Sequence, residues 1–207
     1  INESLKEIQY NGRIGFVGFG EPLLHENLEQ CISTVIDSVP AKWIEVNTNG
    51  DYLTQDRLTS LEKAGVTHCA ISMYDYDATD DFTEIFKNSN IKPVFRHSYD
   101  FLENEVNRND QYTSKERISL SKPCYIPFYK TMIDYNGDVL ICANDWTKTA
   151  VMGNVLLTPL IDIWNNKIYK EYRKMHLSGN RHCGPCDKCN IDGTVIGEQY
   201  FNYFLET

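Results

Sequence analysis

The chain has 207 residues, a formal net charge of −9 and a hydrophobic fraction of 42%, which suits one large domain or two small ones with a real core. Its excess of acidic residues argues against a nucleic acid or an anionic membrane as partner, because phosphate binding needs clustered Lys and Arg. No run of about 18 apolar residues is present, so the sequence predicts no membrane span.

The first hundred residues alternate between short apolar runs and segments with helical periodicity. Strands are predicted at 13–18, 42–47, 66–72 and 91–96, with helices at 2–10, 24–35, 54–64 and 80–89 around them. Thr54 is expected to cap its helix and Gly65 to end it. Strands that begin about every 25 residues with helices between them indicate βα units and a parallel sheet, hence an α/β fold.

The pattern changes after a polar segment at 103–122. Apolar runs on either side of Asn136-Gly137 predict a β-hairpin with both turn residues at positive φ. One long helix is predicted at 159–177, with its basic residues facing solvent, and a terminal helix at 198–205. We therefore expect two domains, 1–110 and 111–207, the second being small, α+β and built around the hairpin.

Five of the seven cysteines come after position 123, which is unlike a secreted disulfide protein and indicates a metal or iron–sulfur site in a reducing cytoplasm. Cys124 and Cys142 lie on the two sides of the predicted hairpin, and Cys186 and Cys189 form a C-x-x-C loop. Four thiolates around one centre suit either a [4Fe-4S] cluster or tetrahedral zinc, and the spacing alone does not choose between them.

The spacing C-x12-G-x4-C followed by C-x-x-C resembles the auxiliary-cluster domain, of SPASM or shorter twitch type, of radical S-adenosylmethionine (SAM) enzymes. The segments IDYNGDVLICANDW, PLIDIWNN and PCDKCNIDGT resemble it too. The resemblance implies one auxiliary [4Fe-4S] cluster on Cys124, Cys142, Cys186 and Cys189. Cys183 is an open fifth candidate, with a bystander role favoured.

The first half resembles the barrel of the same family. Gly18-Phe19-Gly20-Glu21-Pro22 is similar to the family's GGEP motif, and Thr48-Asn49-Gly50 to its TNG motif. This implies a partial radical SAM barrel in which Gly18, Gly20, Glu21, Thr48 and Asn49 bind SAM, with Glu21 accepting from its ammonium group.

Further polar residues follow the other strands, where barrel enzymes place their active sites. The resemblance implies that Ser72 contacts the SAM ribose and Arg96 its carboxylate, although a structural role is equally open for both. The catalytic candidates are His97, Tyr74 and Asp75. Cys31 and Cys69 are expected to be small core residues.

The family's C-x-x-x-C-x-x-C motif is absent from these 207 residues. We expect it, with a second [4Fe-4S] cluster, on a segment upstream. The implied activity is that of an oxidoreductase in which a 5′-deoxyadenosyl radical abstracts a substrate hydrogen and the auxiliary cluster takes an electron. The expected partners are a small molecule such as a sugar or aminocyclitol, and an external electron donor such as flavodoxin or ferredoxin. The alternatives are a peptide-modifying radical SAM enzyme and a zinc-stabilised scaffold without catalysis.

Overall fold

The structure is a computed structural model that describes residues 1–74, 79–97, 122–187 and 189–206. These residues fall into two compact units, one within Ile1–Glu103 and the other within Asn104–Thr207. The domain boundary expected at 110 lies outside the described residues.

The first unit is built on a four-stranded parallel sheet. Its strands are β1 (Arg13–Phe16), β2 (Trp43–Thr48), β3 (His68–Met73) and β4 (Lys92–His97). They lie side by side in chain order and all neighbours are parallel. The four predicted strands and the α/β class are therefore confirmed.

Four helices accompany this sheet: α1 (Asn2–Glu7), α2 (Leu28–Ile36), α3 (Gln55–Lys63) and α4 (Thr79–Phe86). Thr54 caps α3 by accepting from the amide of Arg57, as expected, and Gly65 follows its end with a φ of +98°. Helix α2 buries Leu28 and Ile32, whereas Cys31 on the same helix is exposed. The expectation of a core role for Cys31 is therefore wrong, whereas Cys69 is buried in β3.

The two faces of the sheet differ in chemistry. Ile44, Val46 and Ile71 are buried in an apolar core shared with α2 and α3. Because side chains alternate along a strand, Glu45 points to the other face. There it is 2% exposed and forms ion pairs with both Arg13 and Arg96.

The second unit contains a three-stranded antiparallel sheet of β5 (Met132–Ile133), β6 (Asp138–Leu140) and β7 (Val151–Asn154). The hairpin between β5 and β6 forms as predicted, but only Gly137 in its turn has positive φ. The turn closes with bonds from the amide of Gly137 to the Asp134 carbonyl and from that of Asp134 to the Asp138 carbonyl. This longer loop needs a single left-handed residue, so the two-residue turn is wrong.

The helix predicted at 159–177 is two helices, α6 (Leu160–Trp164) and α7 (Lys167–Leu177), after a short helix α5 (Ile126–Tyr129). Asn166 makes the break, because its side chain accepts from the Tyr169 amide at 2.8 Å and donates to the Met152 carbonyl at 2.7 Å. It thus caps α7 and ties it to β7.

One basic residue of α7 faces inward. Arg173 is 3% exposed and donates to the carbonyls of Pro127 and Trp164, with its guanidinium over the rings of Trp164 and Tyr169. The expectation that it faces solvent is wrong. The terminal helix α8 (Glu198–Glu206) forms as predicted. Among the described residues, no helix is long and apolar enough to cross a membrane.

Candidate metal centre and SAM site

The second unit brings four thiols to one pocket from separate elements. Cys124 precedes α5, Cys142 follows β6, Cys186 ends the 3-10 helix Gly184–Cys186, and Cys189 lies three residues later. All four line the same pocket, whose other walls are mostly apolar or buried side chains. The hairpin and the C-x-x-C loop therefore converge as the sequence predicts.

Close backbone packing holds Cys124 at this pocket. The amide of Tyr125 donates to the Gly193 carbonyl at 2.8 Å. A Cβ on Gly193 would lie 2.0 Å from Cys124 Sγ and 2.8 Å from its Cβ. Only glycine fits at position 193 while Cys124 keeps its place.

Amide donors point at two of the sulfurs. The amide of Asn144 lies 3.4 Å from Cys142 Sγ, with the Asn144 side-chain amide at 3.5 Å, and the amide of Ile191 lies 3.4 Å from Cys189 Sγ. Such N–H donors stabilise thiolates, and hydrogen bonds to sulfur are among the groups that set the potential of an iron–sulfur cluster.

Burial disfavours the deprotonated form of the free thiols. It raises the pKa of Cys124 to about 11 and also raises the pKa of Cys142. The pKa of Cys186 is raised by its hydrogen bond with Cys183 and by burial. At neutral pH these thiols lose their protons only if a metal cation binds the sulfur atoms in place of the protons.

A buried cation also lines the pocket. Arg181 is 4% exposed, donates to the Ile191 carbonyl at 3.0 Å and pairs with no carboxylate of the described residues. Its Nε is buried without a hydrogen-bond partner among them. An isolated buried cation is costly, so an anionic group in the pocket would stabilise Arg181. Iron or zinc with four thiolates has the net negative charge that this requires.

Cys183 stands apart from the other four cysteines. It precedes the 3-10 helix and is absent from the pocket lining, but its thiol is hydrogen bonded to that of Cys186. The ligand atoms of Cys183, Cys186 and His176 all lie within 4.8 Å of one another. The sequence singled out neither His176 nor Arg181, because neither has ligand-like spacing from the cysteines.

In the first unit, Glu21 joins the ends of two neighbouring strands. Its carboxylate accepts from the Leu23 amide at 3.0 Å, the Thr48 hydroxyl at 2.7 Å and the Asn49 amide at 2.8 Å. The GEP and TNG segments are thus one hydrogen-bonded structure at the carboxyl edge of the sheet. Gly50 completes it with a φ of +88°.

The glycines beside Glu21 face open space. A Cβ on Gly18 or Gly20 would meet nothing within 4 Å, and neither has positive φ. No packing or strain in the described part of the chain therefore requires glycine there. The remaining reason for glycine at these two positions is that a ligand can approach the backbone closely there. This fits the SAM-binding role inferred from the motif.

The structure places the remaining candidates at the ends of β3 and β4. Ser72 and Arg96 are paired in register, and Arg96 Nη2 lies 2.9 Å from Glu45 Oε1. Tyr74 directly follows β3 and is 62% exposed, and His97 is the last residue of β4. Asp75 lies outside the described residues. The Glu45 ion pairs were not predicted from the sequence; the available signal was an acidic residue with apolar residues on both sides, Ile44 and Val46, within a predicted strand.

A parallel βα sheet with glycine and TNG turns at its carboxyl edge, in the same chain as a four-thiol pocket, is the arrangement expected of a radical SAM enzyme with an auxiliary cluster domain. Residues 124–190 match the SPASM family of iron–sulfur cluster-binding domains. The chain is 30% identical over 210 aligned residues to S-adenosyl-L-methionine-dependent 2-deoxy-scyllo-inosamine dehydrogenase of Niallia circulans, with 96% of this chain and 80% of that protein covered. The chain therefore belongs to the radical SAM oxidoreductases that carry a SPASM-type iron–sulfur domain.

Solved structures agree with this assignment. The chain is similar to BtrN in complex with AdoMet and 2-DOIA, with a TM-score of 0.80, 28% identity and coverage of 97% of this chain and 81% of that one. It is also similar to BtrN in an open conformation, with a TM-score of 0.70, 26% identity and coverage of 92% and 76%. Iron–sulfur and SAM cofactors are thus confirmed for the family, and a purely structural zinc site is not supported.

Proposed function

We propose that this protein dehydrogenates a secondary alcohol of a small polyol, of the aminocyclitol or sugar class, by radical SAM chemistry. The alignment with the Niallia circulans dehydrogenase is the observation that supports this most directly, because it spans 96% of the chain and therefore both units. A relative that shared only the cluster domain would say nothing about the substrate.

In this proposal Cys124, Cys142, Cys186 and Cys189 hold the auxiliary [4Fe-4S] cluster, and Cys183 is not a ligand. This ligand set is supported by the shared pocket, by the N–H donors on two sulfurs and by the cation Arg181, which pairs with no carboxylate of the described residues. The absence of Cys183 from the pocket lining supports its exclusion.

The SAM-binding residues are proposed to lie at the carboxyl edge of the parallel sheet: Gly18, Gly20, Glu21, Thr48, Asn49, Ser72 and Arg96. The main role of Glu21 is to hold neighbouring backbone in place, since its carboxylate already accepts hydrogen bonds from three donors of the chain. It fixes the two turns whose backbone would face the cofactor. Glu45 likewise holds the guanidinium of Arg96 in one orientation.

The reaction removes one hydrogen from the carbon and one from the oxygen of a CH–OH group and leaves a ketone. The bound cofactors supply the abstraction of one hydrogen atom and accept the remaining electron, and the hydroxyl proton passes to a base. His97, Tyr74 and Asp75 are the candidates for this base, because they end or follow the strands at the proposed SAM edge. An external one-electron donor such as flavodoxin or ferredoxin would supply the reducing electron for SAM.

The test is an anaerobic assay of the full-length protein with SAM, a one-electron reductant and 2-deoxy-scyllo-inosamine or related cyclitols. We expect 5′-deoxyadenosine and a ketone in equal amounts, with deuterium moving from the oxidised carbon to 5′-deoxyadenosine. Formation of 5′-deoxyadenosine only with peptides, and never with polyols, would contradict the proposal and favour a peptide-modifying enzyme.

A further inference from the structure

His176 is a fully buried residue of α7 that meets the thiol pocket with one ring nitrogen. Its side chain is 0% exposed and it lines the pocket together with the four cysteines. Its Nε2 lies 3.4 Å from Cys186 Sγ, which is a hydrogen-bond distance for sulfur. Its Nδ1 is buried and has no hydrogen-bond partner among the described residues.

These contacts determine which nitrogen of the His176 imidazole carries the proton. A neutral imidazole has one N–H donor and one nitrogen that accepts. A proton on Nδ1 would leave a buried donor without an acceptor and would aim the Nε2 lone pair at the sulfur. A proton on Nε2 points at the sulfur and leaves only an acceptor unused. A cysteine that binds iron has lost its proton, so the contact with Cys186 stays a hydrogen bond only in this second form.

We propose that His176 donates a hydrogen bond from Nε2–H to the Cys186 thiolate and thereby raises the reduction potential of the auxiliary cluster. Reduction adds negative charge to the cluster and its sulfurs, so an N–H donor stabilises the reduced form more than the oxidised form. A higher potential favours transfer of the substrate's electron to this cluster. The inference rests on the ligand set proposed above, and it does not depend on which polyol is the substrate.

His176 is a positioning residue in this account and not a ligand. Four thiols already line the pocket, which fills the coordination of a cubane. The neighbouring triad of His176, Cys183 and Cys186 could instead hold a metal through the ring nitrogen. That arrangement makes a different spectroscopic prediction, so the experiment separates the two.

The test compares two substitutions at the same position in the full-length protein. His176→Gln keeps an N–H donor of similar reach, whereas His176→Leu fills similar space without a donor. His182→Leu is the matched control, because it removes an exposed imidazole from the same unit. Iron and sulfide content is measured first. The midpoint potential is then followed by electron paramagnetic resonance on the cluster signal that does not respond to SAM.

We expect His176→Leu to lower the ratio of reduced to oxidised cluster about tenfold at a fixed potential, equivalent to about 59 mV for one electron. His176→Gln should recover most of this shift and His182→Leu should cause none. An unshifted potential in His176→Leu with full iron and sulfide content would overturn the proposal. An equal shift in the Gln variant would do the same, since packing alone would then explain it.

A measurement on the unsubstituted protein covers the case in which His176→Leu does not assemble a cluster. With histidine labelled by nitrogen-15, electron–nuclear double resonance on the reduced auxiliary cluster should show one weakly coupled nitrogen that is lost in His176→Gln. No coupling, or the strong coupling of a directly bound nitrogen, would overturn the proposal. Zinc in place of iron would instead defeat the iron–sulfur cluster proposed above, and an intact cluster without polyol turnover would defeat only the proposed substrate.

Discussion

Replacing Glu21 by Gln perturbs the joint between the GEP and TNG segments without changing the size of the side chain. The carboxylate accepts from the Leu23 amide and the Thr48 hydroxyl through one oxygen and from the Asn49 amide through the other. An amide group has only one acceptor oxygen. In either orientation the Gln NH2 therefore faces a backbone N–H, of Asn49 or of Leu23, and that donor loses its partner.

The expected cost follows from these contacts. A hydrogen bond to a charged acceptor contributes about 1.5–3 kcal/mol and a neutral one about 0.5–1.5 kcal/mol, so one lost bond and two weakened ones cost about 2 kcal/mol at this partly exposed site. We expect the unfolding midpoint to fall by about 4–8 °C for a chain of this size. Because the displaced turns are the proposed SAM-binding backbone, SAM affinity should fall about tenfold, equivalent to about 1.4 kcal/mol.

The assay is thermal unfolding and calorimetric SAM binding on anaerobic full-length protein, with auxiliary-cluster iron measured in parallel. Glu26→Gln is the control, since it removes the same charge at an exposed position five residues along the chain. Cluster content should be unchanged in both variants. Unchanged SAM affinity and stability in Glu21→Gln would refute the assignment of Glu21 as the residue that positions the SAM edge.

Two further predictions test the two units separately. Gly193→Ala places a Cβ 2.0 Å from Cys124 Sγ and should lose most auxiliary-cluster iron, whereas Gly15→Ala, with no atom closer than 3.6 Å, should keep it; equal iron in both would contradict the close packing. Glu45→Gln leaves Arg13 and Arg96 without their shared anion and should destabilise the first unit by about 1–3 kcal/mol in urea unfolding. A change below about 0.5 kcal/mol would show that solvent already screens both arginines.

The sequence predicts the parallel sheet well because its signals are local and repeated. Each signal depends only on neighbouring residues in the sequence. Examples are the alternation of strand and helix periods, the cap at Thr54 and the positive φ of Gly65 at the end of α3. The sequence also predicts that the thiols converge, because the hairpin brings Cys124 and Cys142 together and the C-x-x-C loop supplies two thiols side by side. That all four belong to one site came from the resemblance to the auxiliary-cluster domain.

What the sequence does not predict depends on contacts between distant segments. The break before α7 requires Met152 of β7 to meet Asn166, and the burial of Arg173 requires the Pro127 carbonyl. The positions of His176 and Arg181 at the pocket likewise follow from how α7 and the loop after it pack, which no local pattern encodes. Cys31 was misplaced because the apolar face of α2 is narrower than its periodicity indicates.

The most direct test of the account is metal analysis of protein purified without oxygen, with each cysteine of the second unit replaced in turn by Ala. The account predicts an auxiliary site with about four irons and four sulfides. Replacing Cys124, Cys142, Cys186 or Cys189 should remove these irons, and replacing Cys183 should leave them in place. One zinc without iron, or equal loss of iron with Cys183→Ala, would contradict the proposed cluster and its ligands.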